Sequence, residues 1–240
     1  RKSAMSAPQS RTYRHLELVM AAFITVLVCS NLIGPAKITQ ASLPLVGTVS
    51  FSAAVLFFPL SYVFGDVLTE VYGYARARRV IWAGFAALVF AALMTLMMLA
   101  LPAASFWDQQ GAYETVFGNT WRIVIASISA YFCGELVNSY VLAKMKIWQR
   151  GRHLWGRTIG STIAGQSVDS AIFFPIAFWN SGILPNEAIL GVALTEVVIK
   201  IGIEALLTPV TYRIVGSLKQ AENEDFYDRG TDFSPFRVGV

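Results

Sequence analysis

The sequence predicts an all-α polytopic membrane protein, a bundle of six transmembrane helices, and three observations carry that prediction. Apolar residues make up 55% of the chain and charged residues only 14%, against roughly 25% charged in a soluble domain. Mean hydropathy is +0.54. Several apolar runs approach 20 residues, about the length that crosses a hydrocarbon layer of roughly 30 Å. No polar linker divides these runs, so one membrane domain is expected over residues 16–218, with cytoplasmic tails over 1–15 and 219–240.

The first span covers Leu16 to Ile33, and Pro35 marks its exit. The second runs from about Leu45 into the Tyr62–Val67 region, is interrupted by Pro59, and carries Asp66 and Glu70 near its end. Gly47, Pro59 and Gly65 leave a re-entrant segment as the alternative there. The third, Val80 to Leu101, contains no charged residue and stops at Pro102. The fourth is Trp121 to Leu142. The fifth is Arg157 to Trp179, with Pro175 near its far end. The sixth begins near Ala188 and continues through Leu207, where Pro209 kinks or ends it.

Basic residues set the orientation. The tail before the first span has four, the turn after the second has Arg76, Arg78 and Arg79, and the last tail has four from Arg213 onward. The loop before the fifth span has Lys144, Lys146, Arg150, Arg152 and Arg157. Sixteen of the 19 basic residues thus fall on one side. The positive-inside rule places both termini in the cytoplasm, as an even number of spans also requires. Arg1 to His15 reads as a basic tail rather than a cleavable leader. The acidic segment after Gln220 reads as poorly ordered.

Composition also excludes function classes. The pI near 9.1 comes from residues flanking apolar runs, not from a reading helix, so no nucleic-acid partner is expected. Cys29 and Cys133 sit in apolar stretches and form no disulfide or metal pattern. His15 and His153 lie outside the spans. No phosphate loop, metal-ligand spacing or serine–histidine catalytic set is visible, so neither enzyme activity nor a cofactor is expected.

Function therefore rests on the polar residues within the spans. An ionisable group at bilayer depth costs about 2.5–3.5 kcal/mol on insertion scales, so such groups should face the bundle interior. Glu196, Lys200 and Glu204 recur every four residues and share a helical face. They read either as a buried packing network or as a binding and coupling surface. Gln166 and Asp169 share a face of the fifth span, and Phe173 lies four residues beyond Asp169. A carboxylate, an amide and a ring on adjacent turns suit a flat, nitrogen-rich ligand, with interhelical hydrogen bonding as the alternative. Glu135 and Asn138 in the fourth span divide between pocket and structural network. Ala126, Ala130 and Gly134 form a packing strip. Asp66 and Glu70 read as gating or proton-coupling groups, or as anchors for Arg76 or Arg79. Asn31 near the outer end of the first span, with Lys37 beyond it, and Trp179 at the matching end of the fifth, read as interfacial residues or as contacts for an entering solute.

The segments "CSNLIGPAK", "FPLSYVFGDVLTEVYGY", "CGELVNS" and "GSTIAGQSVDSAIF", in that order, with the cluster near Glu196 and Lys200, resemble the YhhQ-like family of queuosine-precursor transporters, also called the vitamin-uptake transporter family. The resemblance covers about residues 16–218. It implies a bacterial inner-membrane protein that takes up 7-deazaguanine bases, 7-cyano-7-deazaguanine or 7-aminomethyl-7-deazaguanine. It further implies a fold similar to the substrate-binding components of energy-coupling-factor transporters. Relatives of that kind work with an ATP-driven module; the YhhQ-like family is thought able to work without one. Membrane lipids are the other expected partner, and homodimerisation stays open. The residues expected at the substrate are Glu135, Asn138, Gln166, Asp169, Phe173, Trp179, Glu196 and Lys200. Asn31, Asp66, Glu70 and Glu204 are expected in gating or coupling.

Overall fold

A computed structural model of the chain describes residues 13–33, 38–43, 47–118, 121–182 and 185–237. Its helices are α1 (Leu16–Ile33), α2 (Phe58–Tyr72), α3 (Tyr74–Ala100), α4 (Gln110–Phe117), α5 (Trp121–Trp148), α6 (Leu154–Phe178) and α7 (Asn186–Glu222). Two strands, β1 (Ile38–Leu43) and β2 (Gly47–Ser52), and a 3₁₀ turn over Ala53–Leu56 lie between α1 and α2. The segment before Tyr13, and Lys37, lie outside the described residues.

Three segments are long and apolar enough to cross a membrane: Leu16–Ile33, Tyr74–Ala100 and the stretch Gln110–Trp148. The helices α6 and α7 have the length, but Gln166 and Asp169 interrupt the apolarity of one, and Glu196, Lys200 and Glu204 that of the other. Among the described residues, three of the six expected spans thus qualify by length and apolarity alone. A belt of exposed apolar side chains is nonetheless present. Phe90, Leu93 and Met97 of α3 are exposed, as are Leu190, Leu194, Val198 and Leu206 of α7, spaced at helical intervals.

The expected second span is corrected. The strands β1 and β2 pair antiparallel, with Ile38 opposite Ser52 and Leu43 opposite Gly47. This stretch is rich in Thr, Val and Ser, which suit strands better than helices. Pro59 lies at the first turn of α2, where its missing N–H costs nothing, so it starts the helix rather than interrupting one. The 15 residues of α2 extend about 22 Å, short of the hydrocarbon thickness. Twelve of the 15 are buried, so α2 is a central post wrapped by α1, α3, α5 and α7. Around it pack Phe23 and Leu27 of α1, Val80 and Leu88 of α3, and Tyr131 of α5.

The closest helix pair is α5 with α6. Ala126 and Ala130 are fully buried, as the packing strip predicts. At the crossing, a Cβ on Gly165 would lie 2.8 Å from the Asn138 Cβ and 2.9 Å from the Gly134 carbonyl oxygen. Neither neighbour is the flexible end of a side chain. Gly165→Ala should therefore force the helices apart at a cost of roughly 1–3 kcal/mol. Thermal unfolding in detergent checks this, and an unchanged midpoint would contradict the close approach.

One end of the bundle gathers the basic residues and both described chain ends. The tail expected to be poorly ordered packs there instead, because its carboxylates satisfy helix starts that carry no cap of their own. Glu222 accepts the backbone N–H of Arg14 (3.0 Å) and His15 (2.6 Å) at the start of α1, and the Tyr72 hydroxyl at 3.2 Å. Asp228 accepts the N–H of Tyr74 at 3.0 Å, at the start of α3. Gly73, between α2 and α3, has φ +86°, and a Cβ there would strike the Phe226 ring at 2.3 Å. The tail continues across α3, where Arg78 donates to the carbonyl oxygens of Asp232 and Ser234 and Trp82 to that of Pro235.

These contacts carry a pH dependence. Burial opposes the charge on Glu222, but the donors from Arg14, His15 and Tyr72 outweigh it and hold its carboxyl below the usual range. Burial likewise opposes the charge on Asp225, and the Lys146 and Lys219 ammonium groups overcome it. A lowered folded-state pKa means that the stabilisation is complete above the ordinary carboxyl range, about 4, and is lost as pH falls through the lowered values. Asp228 works the other way, since burial lifts its carboxyl. Protection from hydrogen exchange at the start of α1 and in residues 222–228 should fall below about pH 4 before that of the α2 core responds. Equal protection down to pH 3 would contradict this.

Candidate functional site

The sixth-span stripe divides in three dimensions. Lys200 bonds Asp169 of α6 at 3.3 Å and sits 3.7 Å from Glu196, one turn earlier. Glu204, on the same face, does not join them. It accepts a short hydrogen bond from the Thr162 hydroxyl of α6 and faces Asp66 of α2. The expected Glu196–Lys200 pair on α7 is present, while Glu204 finds its partners on α6 and α2.

Between α2, α5, α6 and α7 lies a buried polar cluster. Glu135 is 0% exposed, and neither carboxyl oxygen has a hydrogen-bond partner. It lies against Gly65, whose lack of a side chain makes the room: a Cβ there would be 1.9 Å from Glu135 Oε1. Gln166 is buried with both amide atoms unpartnered. Asn138 donates to Asp66 at 2.9 Å and keeps a free carbonyl oxygen. The Ser170 hydroxyl is also buried without a partner. Buried polar groups are ordinarily paired, so this concentration of unused donors and acceptors is the chemical signature of the region.

The remaining predicted residues distribute elsewhere. Glu70 lies in the basic end. Arg157 grips its carboxylate from two nitrogens at 2.7 and 2.8 Å, Lys219 bonds it at 2.6 Å, and Lys146 lies 3.3 Å away. Its partners are therefore not the expected Arg76 or Arg79. Arg76 instead donates to the Tyr72 carbonyl and lies over the Tyr13 and Phe226 rings. Phe173 is half-buried in a ring cluster with Phe174 and Phe178. Trp179 ends α6 and is 55% exposed, ten residues and roughly 15 Å along the helix from Asp169. Arg122 caps this end by donating to the carbonyl oxygens of Ile176 and Trp179. Asn31 accepts from Ser127 at 3.1 Å and lines a cleft between α1, α3 and α5 with Thr95 and Ile128. Neither Trp179 nor Asn31 joins the polar cluster.

Residues 52–214 match the family model described as "putative vitamin uptake transporter". The chain belongs to this family. The matched range contains every member of the polar cluster, from Asp66 to Glu204. Among curated proteins, the chain is 33% identical over 148 residues to a "probable queuosine precursor transporter" of Bacillus subtilis, covering 61% of this chain and 64% of that one. It is 30% identical over 124 residues to the "queuosine precursor transporter" of Escherichia coli, covering 52% and 53%. A Haemophilus influenzae relative with the first name is 28% identical over 130 residues, covering 52% and 51%. The chain thus spans about half to two thirds of these relatives' lengths. No solved structure matches it, so likeness to energy-coupling-factor components stays an expectation.

As a member of this transporter family, the chain is a multi-pass membrane protein whose polar interior is built mainly by α6. Thr158, Ser161, Thr162, Gly165, Gln166, Asp169 and Ser170 recur at intervals of three and four and are buried. That stripe was readable in the sequence, although only Gln166 and Asp169 were singled out from it. Thr162 and Ser170 gave no separate signal. Nor did Arg157, Lys146 and Lys219 as partners of Glu70, since they come from three different helices.

Proposed function

We propose that this protein imports a 7-deazaguanine queuosine precursor, 7-cyano-7-deazaguanine or 7-aminomethyl-7-deazaguanine, across the bacterial inner membrane. The observation that carries the reading is the group of buried, unpartnered polar atoms on Glu135, Asn138 and Gln166, next to the Asp169–Lys200 pair. The names of the relatives point to the same substrate class.

A guanine-like edge presents a ring N–H and an exocyclic amine beside a carbonyl. Glu135 or Asp169 accepts the donor edge. Gln166 or Lys200 meets the carbonyl, and Asn138 adds an acceptor. Phe173 closes the site from the following turn of α6, while Glu196 holds Lys200. The helices α1 and α3 supply apolar spans, and α2, α5, α6 and α7 supply the polar lining, so six helical segments form the membrane domain. The basic end faces the cytoplasm by the positive-inside rule. Trp179 and Asn31 lie at the opposite, outer end. Access alternates between the two ends around the cluster.

Purified protein should bind either base and move it into sealed vesicles. Neither binding nor uptake by correctly folded protein would overturn the assignment. Binding without uptake would indicate a capture subunit that needs an ATP-driven module.

A further inference from the structure

The buried acids of the polar cluster outnumber its cations. Asp66, Glu135, Asp169, Glu196 and Glu204 all face the interior, and Lys200 is committed to Asp169 and Glu196. Asp66 is 1% exposed and Glu204 2%, and among the described residues neither has an ion-pair partner. Glu204 on α7 faces Asp66 on α2 where the two helices pack together. Each receives one donor from elsewhere, Asn138 to Asp66 at 2.9 Å and Thr162 to Glu204. Glu204 Oε2 and Asn138 Oδ1, both buried at the pair, have no partner.

The surroundings offer no relief for two negative charges. Next to the pair, α2 brings Tyr62 and Glu70, the latter already held by Arg157 and Lys219; α5 brings Glu135; α6 brings Asp169; α7 brings Lys200. The helix α1 has only Glu17, at its basic end, and α3 only Arg76, Arg78 and Arg79, in its first two turns at that end. Two carboxylates in such an interior cannot both stay ionised. One proton turns their repulsion into a short O–H···O⁻ hydrogen bond.

We propose that Asp66 and Glu204 share one proton, and that this proton, taken up from one face of the membrane and released to the other in each cycle, couples import of the base to the proton gradient. The proposal rests on the transporter reading above. Binding forms one O–H bond on a carboxyl oxygen, and release breaks it to water; no other bond changes. The pair joins α2 to α7, both of which line the polar cluster. Access from either end requires those helices to separate, and separation hydrates the pair and frees the proton.

The shared proton is tested without substrate. Infrared spectra of the purified protein at neutral pH should show protonated-carboxyl intensity that falls by one group in both Asp66→Asn and Glu204→Gln. Coupling is tested in proteoliposomes given labelled 7-aminomethyl- or 7-cyano-7-deazaguanine in the external medium. An acid-outside gradient should raise accumulation of the neutral cyano base by up to about tenfold per pH unit for one proton per base. Glu204→Gln should lose that response while still exchanging labelled for unlabelled base, which needs no net proton movement. If Glu204→Gln does not fold, Asp66→Asn supplies both measurements. Equal wild-type accumulation with and without the gradient, a gradient response kept by the variants, or no infrared difference would overturn the proposal. An infrared difference with no movement of either base under any gradient would uphold the shared proton and overturn the substrate assignment.

Discussion

Glu70→Gln should destabilise the protein by roughly 3–5 kcal/mol, the usual cost of removing one partner from a buried ion pair. The side chain is 0% exposed and is the carboxylate on which Arg157, Lys219 and Lys146 converge. Lys146 and Lys219 keep Asp225 after the change, at 2.6 and 2.7 Å. Arg157, itself 1% exposed, keeps only the carbonyl oxygen of Arg152, so its charge is the one stranded. Arg157→Gln should cost less, because Glu70 would still hold two ammonium groups. The double change should cost less than the sum, since no unpaired guanidinium remains. Unfolding of all three variants in detergent measures the order. A Glu70→Gln effect within about 1 kcal/mol would mean that water reaches this cluster, as at a surface ion pair.

Asp169→Asn should weaken binding of the precursor by roughly 2–3 kcal/mol, on the order of 30- to 150-fold in affinity. The substitution keeps the side chain's size and removes its charge. If the carboxylate receives the base's N–H edge, a charge-assisted acceptor is replaced by a neutral amide that presents donors as well. Lys200 loses its 3.3 Å partner and retains Glu196 at 3.7 Å, so some stability is lost too. Titration of folded, purified protein with either base separates the two effects. A wild-type affinity accompanied by a lower unfolding midpoint would show that Asp169 only holds Lys200 in place.

The two variants separate two kinds of buried charge that look alike in the sequence. Glu70 and Asp169 are both acids within helices of an apolar chain, and the same insertion cost places both indoors. What distinguishes them is supply. Glu70 is met by more positive charge than it carries, which makes a fastening between α2, α6, α7 and the C-terminal segment. Asp169 shares a single lysine with Glu196, beside amide and carboxyl atoms that have no partner, which suits a ligand. Such accounting requires knowing which helices touch.

Residues on one helix were the legible part of the site. Spacing alone placed Gln166 beside Asp169 and Glu196 beside Lys200, because 3.6 residues per turn sets those neighbours. The same rule set Glu204 on that face but could not supply its partners on α6 and α2. It also had no means of finding the capping carboxylates Glu222 and Asp228, more than 150 residues from Tyr74 and Arg14 in the chain. The expected second span, from about Leu45, takes in β2, because apolar content alone does not distinguish a strand from a helix.

The sequence by itself determined that this chain lives in a membrane, that its basic residues collect at one end, and that a few polar side chains must turn inward, since hydropathy and the cost of burying charge are properties of the residues themselves. The tertiary structure alone decided which inward groups are fastened and which are left with unused hydrogen bonds. Those outcomes depend on distances between helices, and a helix's own periodicity says where a side chain points but not what it will meet.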